Sequence, residues 1–119
     1  MAKILLVEDD PRMLDALVWL IESEGHQVAQ ARNGAEALAL ARSQPPELVV
    51  TDYMMPLMNG LELARAFADD PRLSMVPVVL TSAIAEPPDP SAFFAFLRKP
   101  FAASQFLDLI NKTVAPPHG

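Results

Sequence analysis

Lys3-Ile4-Leu5-Leu6-Val7-Glu8-Asp9-Asp10-Pro11 is the stretch that decides how this chain reads. Its apolar run shows no alternation and stops abruptly at three acids. Continuous Ile, Leu and Val suit a strand buried on both faces, as in parallel sheets. Asp10 before Pro11 reads as a helix N-cap followed by the first helical residue. Strand, acid and helix start thus follow within nine residues. The pattern returns downstream. Leu48-Val49-Val50-Thr51 ends at Asp52, Val76 to Leu80 ends at Thr81 and Ser82, and Phe93 to Leu97 ends at Arg98-Lys99-Pro100. His26 to Ala31 is a weaker strand of the same kind.

Helical periodicity fills the gaps. Leu14, Leu17, Val18 and Ile21 share one face, and Glu24-Gly25 ends that helix with the residue that accepts a left-handed cap. Asn33 with Glu36 three residues on has the form of a capping box, opening an Ala- and Leu-rich helix to Arg42. Leu61 to Ala68 is a third helix, after a loop from Met55 to Gly60. Phe106, Leu109 and Ile110 mark the last, ending near Val114. Strands alternating with helices predict an α/β fold with a parallel sheet and helices on both faces. Right-handed crossovers then predict a doubly wound sheet.

Composition narrows the function classes. The 119 residues carry nine Lys+Arg against fifteen Asp+Glu, a net charge of −6. Without a basic run, this balance argues against nucleic acid as a direct partner. No apolar run approaches the ~18 residues of a membrane span, and the N-terminus turns acidic too early for a signal peptide. Zero cysteines exclude disulfides, thiolate metal sites and cysteine nucleophiles. The four glycines form no phosphate-binding cluster. Twelve prolines are about twice the usual share, and Pro87, Pro88 and Pro90 fall together.

In such sheets ligands bind outside the carboxyl ends of the strands. Glu8, Asp9, Asp52, Thr81, Ser82 and Lys99 would therefore share one edge. Three carboxylates packed together repel and call for a cation. Hard oxygen donors without His or Cys suit Mg²⁺, which usually keeps waters and shares a phosphate. Lys99 and a hydroxyl would then meet phosphoryl oxygens. A carboxylate is the only nucleophile on this edge, and aspartyl phosphate is a known covalent outcome.

Taken in order, Ile4-Leu5-Leu6-Val7-Glu8-Asp9-Asp10, Asp52-Tyr53-Met54-Met55-Pro56 with Gly60, Pro77-Val78-Val79-Leu80-Thr81-Ser82-Ala83 and Lys99-Pro100-Phe101 resemble a response-regulator receiver domain of two-component signalling, the chemotaxis-regulator type. The resemblance spans essentially the whole chain. It implies a flavodoxin-like strand order 2-1-3-4-5 and a cytoplasmic protein. It implies that Asp52 accepts a phosphoryl group from a histidine kinase or histidine phosphotransfer protein with Mg²⁺. Asp9 resembles the direct metal ligand, Glu8 a ligand directly or through water, and the Met54 carbonyl the backbone ligand. Ser82, five residues after Pro77 and followed by Ala83, resembles the switch hydroxyl, with Thr81 as the alternative. Lys99 resembles the phosphoryl-contacting lysine and Phe96 the switch aromatic. Met54 and Ile84 stand where the family tunes hydrolysis of the acyl phosphate; both are bulky and apolar, which implies slow self-dephosphorylation. The chain is then no enzyme beyond this self-catalysed acceptance and loss.

One region departs from the family. Ser82 and Lys99 are closer in sequence than is usual by more than a helical turn, and Pro87-Pro88 disfavour helix between them. The family's fourth helix is expected to be shortened or absent. The domain is read as residues 1–114, with 115–119 a flexible tail. Without an output domain past the last helix, output is expected through a downstream protein or through onward phosphotransfer; a homodimer is also open, whereas DNA and membrane are not expected. Two other readings compete. A receiver-like interaction module without phosphate is motivated by the shortened region, and Asp9, Asp52 and Lys99 weigh against it. A haloacid-type phosphatase would want Asp-x-Asp after the first strand, which Glu8-Asp9-Asp10 does not supply.

Overall fold

A computed structural model describes residues 2–114. The tail expected over 115–119 lies outside the described residues. The elements are β1 (Lys3–Val7), α1 (Pro11–Ser23), β2 (Gln27–Ala31), α2 (Gly34–Ser43), β3 (Leu48–Asp52), α3 (Gly60–Asp69), β4 (Val78–Ser82), a 3₁₀ turn (Pro90–Ala92), β5 (Ala95–Arg98) and α4 (Ala103–Val114). The five strands are parallel in the order β2-β1-β3-β4-β5.

Period-two alternation divides the central strands between two cores. Ile4, Leu6, Leu48, Val50 and Val79 face Leu14, Leu17 and Ile21 of α1 and Phe106 and Ile110 of α4. Leu5, Val7, Val49 and Val78 face Ala37, Leu38 and Ala41 of α2 and Leu63, Ala64 and Phe67 of α3. This is why the strands read as unbroken apolar runs. Each fully buried Leu or Phe contributes roughly 2–5 kcal/mol, judged by truncation to Ala.

The caps hold each helix at its place. The Asp10 carboxylate accepts the Arg12 N–H, and Gly25 takes φ +84° past the end of α1. Asn33 accepts the Glu36 N–H but only half a capping box forms. The full box is at Asn59 and Glu62, so α3 opens at Gly60, one residue before the expected Leu61. His26 has an unexpected structural role. Its Nδ1 accepts the Ala2 N–H at 3.2 Å, and its Nε2 pairs with Asn111 Oδ1 at 2.9 Å. Asn111 in turn donates to Glu24. The accepting Nδ1 assigns the N–H to Nε2. The network fastens α4 to the turn between α1 and β2.

Between β4 and β5 the family's fourth helix is replaced by the single 3₁₀ turn, entered through Asp89 at φ +47°. The expectation from the proline cluster is met. The α2/α3 side of the sheet thus ends at α3 and this turn, and Met75 and Phe94 stand exposed beside it. The later strands start after the expected residues. β4 begins at Val78 because Pro77 has no N–H, and only its carbonyl joins the ladder, accepting from Val49. β5 begins at Ala95, after Phe94 N–H bonds the Val78 carbonyl.

Candidate functional site

Alternation also explains which side chains meet at the carboxyl edge. Val7 belongs to the α2/α3 side, so Glu8, one residue on, turns to the α1/α4 side. Asp52 follows Val50 by two and stays on that side with it; Lys99 follows Leu97 in the same way. Three strands thereby deliver Glu8, Asp52 and Lys99 to one point. Lys99 Nζ lies 2.9 Å from Glu8 Oε1 and 3.3 Å from Asp52 Oδ1. Glu8 is 2% exposed and Asp52 8%, so the ion pairs are largely shielded from water. Glu8 Oε2 accepts the Asp10 N–H, and Asp52 Oδ1 accepts the N–H of Tyr53.

Asp9 completes the acid cluster from the exposed side. Carboxylate oxygens of Glu8, Asp9 and Asp52 lie within 4.8 Å of one another. Burial pushes the Glu8 and Asp52 carboxyls up from their ordinary values, against the opposing pull of Lys99. For Lys99, burial works downward but the hydrogen bond and charge of Glu8, with Asp52, outweigh it, so its ammonium is held above the usual lysine value. One fixed cation is therefore too little for this cluster. An all-oxygen set with excess negative charge fits a divalent hard cation, and Glu8, Asp9 and Asp52 are the side chains that would hold it.

The two hydroxyl candidates are both buried and both inside β4 rather than after it. Thr81 is the register partner of Asp52, but its hydroxyl donates to the Thr51 carbonyl at 3.4 Å. Ser82 sits one residue nearer the rim. Its Oγ accepts the Ile84 N–H at 3.4 Å, leaving its own hydrogen to donate, and its carbonyl accepts the Lys99 N–H at 2.8 Å. Phe96 pairs in register with Leu80. It is half-buried, on the side where the fourth helix is missing, and belongs to neither core.

The loop from Tyr53 to Asn59 rims the site. Met54 and Leu57 are 68% and 83% exposed. Met58 N–H bonds the Pro56 carbonyl across Leu57, which takes φ +71° in a tight turn. Gly60 closes the loop: its N–H donates to the Tyr53 carbonyl at 2.9 Å. A Cβ on Gly60 would stand 2.6 Å from the Asp52 carbonyl oxygen and 2.9 Å from Leu80 Cδ1. Gly60→Ala is expected to lose about 1–3 kcal/mol of stability by overpacking. Urea unfolding checks it; an unchanged midpoint would show that the loop gives way freely.

A doubly wound sheet whose edge gathers an acid cluster, a strand-end aspartate and a lysine defines the receiver class. The chain belongs to the response regulator receiver domain family, which its residues 4–111 match. It is 33% identical over 120 residues to protein PilH of Pseudomonas aeruginosa, covering 97% of this chain and 99% of that protein. It is 32% identical over 113 residues to the polar-differentiation response regulator DivK of Brucella anthropi, covering 91% and 92%. The signal receiver domain of a signal transduction histidine kinase from Syntrophus aciditrophicus superposes with TM-score 0.89 at 28% identity, covering 97% of this chain and 91% of that one. The receiver domain of sensor histidine kinase PA1611 from P. aeruginosa, crystallised with a magnesium ion coordinated in its active-site cleft, shares the fold at TM-score 0.89 and 23% identity, covering 97% and 98%. Among the described residues no helix is long and apolar enough to cross a membrane.

Proposed function

We propose that this receiver domain takes a phosphoryl group on Asp52 from a phosphohistidine, with Mg²⁺ held by Asp9, Asp52, the Met54 carbonyl and Glu8, directly or through water. The observation that carries the reading is the charge imbalance at the strand ends: carboxylate oxygens of Glu8, Asp9 and Asp52 lie within 4.8 Å of one another, and Lys99 alone is paired to them, 2.9 Å from Glu8 and 3.3 Å from Asp52, among the described residues. Such a site favours an added cation and, with it, an added phosphoryl group.

An Asp52 carboxylate oxygen forms the new bond to phosphorus while the bond to the donor imidazole nitrogen breaks, and the leaving imidazole takes up a proton. Glu8, Asp9 and Asp52 would hold the ion, and its positive charge would offset the negative charge that the phosphoryl group brings. Lys99 Nζ, already 3.3 Å from Asp52, donates to a phosphoryl oxygen and exchanges part of its carboxylate contact for it. Ser82 Oγ supplies a second donor. Its shift toward the phosphoryl group releases the Ile84 N–H and leads to Phe96, which alternation places on the same side of the sheet. Switched contacts with a downstream protein, or relay of the phosphoryl group, are the outputs. The chain is not an enzyme in any further sense.

Incubation with acetyl phosphate and Mg²⁺, read by intact mass, tests this. The expected adduct is one phosphoryl group, absent when EDTA is added. A wild-type protein that binds Mg²⁺ but takes no adduct would leave the phosphate-independent interaction module instead. The adduct is further expected to decay over minutes to hours after desalting. Met54 and Ile84, two residues past Asp52 and Ser82, present no polar side chain to orient an attacking water. Loss within seconds would contradict this role for the pair.

A further inference from the structure

Gly34 opens α2, and the sequence offers no helical reason for it. Glycine costs helix stability, and the cap itself is made by Asn33. Space is the reason the structure supplies. A Cβ on Gly34 would stand 2.6 Å from the Met58 carbonyl oxygen, 2.7 Å from Met58 Cβ and 2.7 Å from Met58 Cγ. Two of these neighbours cannot swing aside, because the carbonyl and Cβ move only with the backbone. Met58 is the residue whose N–H closes the tight turn onto Pro56, and the next residue, Asn59, caps α3. The loop that leaves Asp52 is thus closed by Gly60 on Tyr53 and seated near its far end, at Met58, by α2.

We propose that Gly34 is a positioning residue of the acid site. The bare first turn of α2 is the stop against which Met58 seats. That contact sets the height of the Tyr53–Asn59 loop, and with it the Met54 carbonyl that the metal reading assigns to the ion. The role rests on the metal reading above. It makes the start of α2, a helix that contributes no acid, hydroxyl or lysine to the site, part of what fixes cation affinity. A methyl group there pushes the Met58 backbone outward and tilts the loop; neither the carboxylates nor Lys99 changes.

The test compares Gly34→Ala with Ala39→Gly, an exposed change inside the same helix that lowers helix propensity without touching Met58. Two readouts are taken: amide chemical shifts of Tyr53 to Gly60 without metal, and calorimetric titration with MgCl₂. Gly34→Ala is expected to move those amides and to weaken Mg²⁺ binding about 10-fold, whereas Ala39→Gly leaves both at wild-type values. Amides of Tyr53 to Gly60 unmoved in folded Gly34→Ala, or moved equally by Ala39→Gly, would overturn the proposal. If Gly34→Ala does not fold, Met58→Ala serves instead. It removes the Cγ that meets α2 and is expected to speed hydrogen exchange of the same amides, and unchanged exchange overturns the proposal equally. A wild-type protein with no heat of Mg²⁺ binding counts against the proposed function, and the amide comparison still decides whether Gly34 seats the loop.

Discussion

Lys99→Met protein is expected to take up phosphoryl groups from acetyl phosphate about 10²- to 10³-fold more slowly than wild type, the usual cost of removing one preorganised donor to developing charge. Lys99 is the only cation bonded to the acid cluster among the described residues, at 2.9 Å from Glu8 and 3.3 Å from Asp52. Methionine keeps the apolar stem and nearly the length, and removes the charge together with its N–H donors. Two shielded carboxylates then face each other without a donor between them. At neutral pH this is expected to lower stability by about 1–3 kcal/mol. The deficit should shrink as pH falls, because Glu8 and Asp52 already titrate above their ordinary values and would do so further without Lys99. Rates from intact mass and urea midpoints near neutral pH and near about pH 5 check both parts. A wild-type rate in the variant would remove Lys99 from the chemistry.

Asp52→Asn protein is expected to melt higher than wild type in the absence of metal. The sign follows from the carboxyls. Glu8 and Asp52 have folded-state values raised above their unfolded ones, chiefly by burial. Between those values the folded chain holds more protons than the unfolded chain, so stability rises as pH falls through that window. Above that window both groups are ionised in either state, and their burial is a standing cost. Asparagine removes one charge and keeps an oxygen for the Tyr53 N–H. The gain is expected as a rise of a few degrees in Tm, about 1 kcal/mol being worth roughly 3–6 °C at this chain length. Added Mg²⁺ should raise the wild-type Tm and raise that of Asp52→Asn much less. Scanning calorimetry with and without MgCl₂ checks this. A lower Tm for the metal-free variant would mean that Lys99 compensates Asp52 fully.

The net charge of −6 is partly explained by this site. Glu8, Asp9 and Asp52 are not general surface charge: they form one cluster. That much was legible in sequence, because an unbroken Ile/Leu/Val run marks a parallel strand and its last residue marks the ligand edge. The missing helix was legible too, since Pro87, Pro88 and Pro90 act locally through lost donors and restricted neighbours. Contacts between distant segments were not. Nothing in Asn33-Gly34 points to Met58, and nothing in His26 points to Asn111. The capping box at Asn59 and Glu62 was hidden because Met55 to Gly60 carries loop residues up to the cap itself. Thr81 and Ser82 are adjacent hydroxyls that only register and hydrogen bonding separate.

The central claim is that Asp52 is the residue phosphorylated. Borohydride reduction of the acetyl phosphate-treated protein converts an acyl phosphate to an alcohol at its own position, and peptide mapping then reads which carboxylate carried it. The modification is expected at Asp52 alone, to require Mg²⁺, and to vanish in Asp52→Asn. A mark on Glu8 or Asp9, or an undiminished mark in Asp52→Asn, would contradict the account.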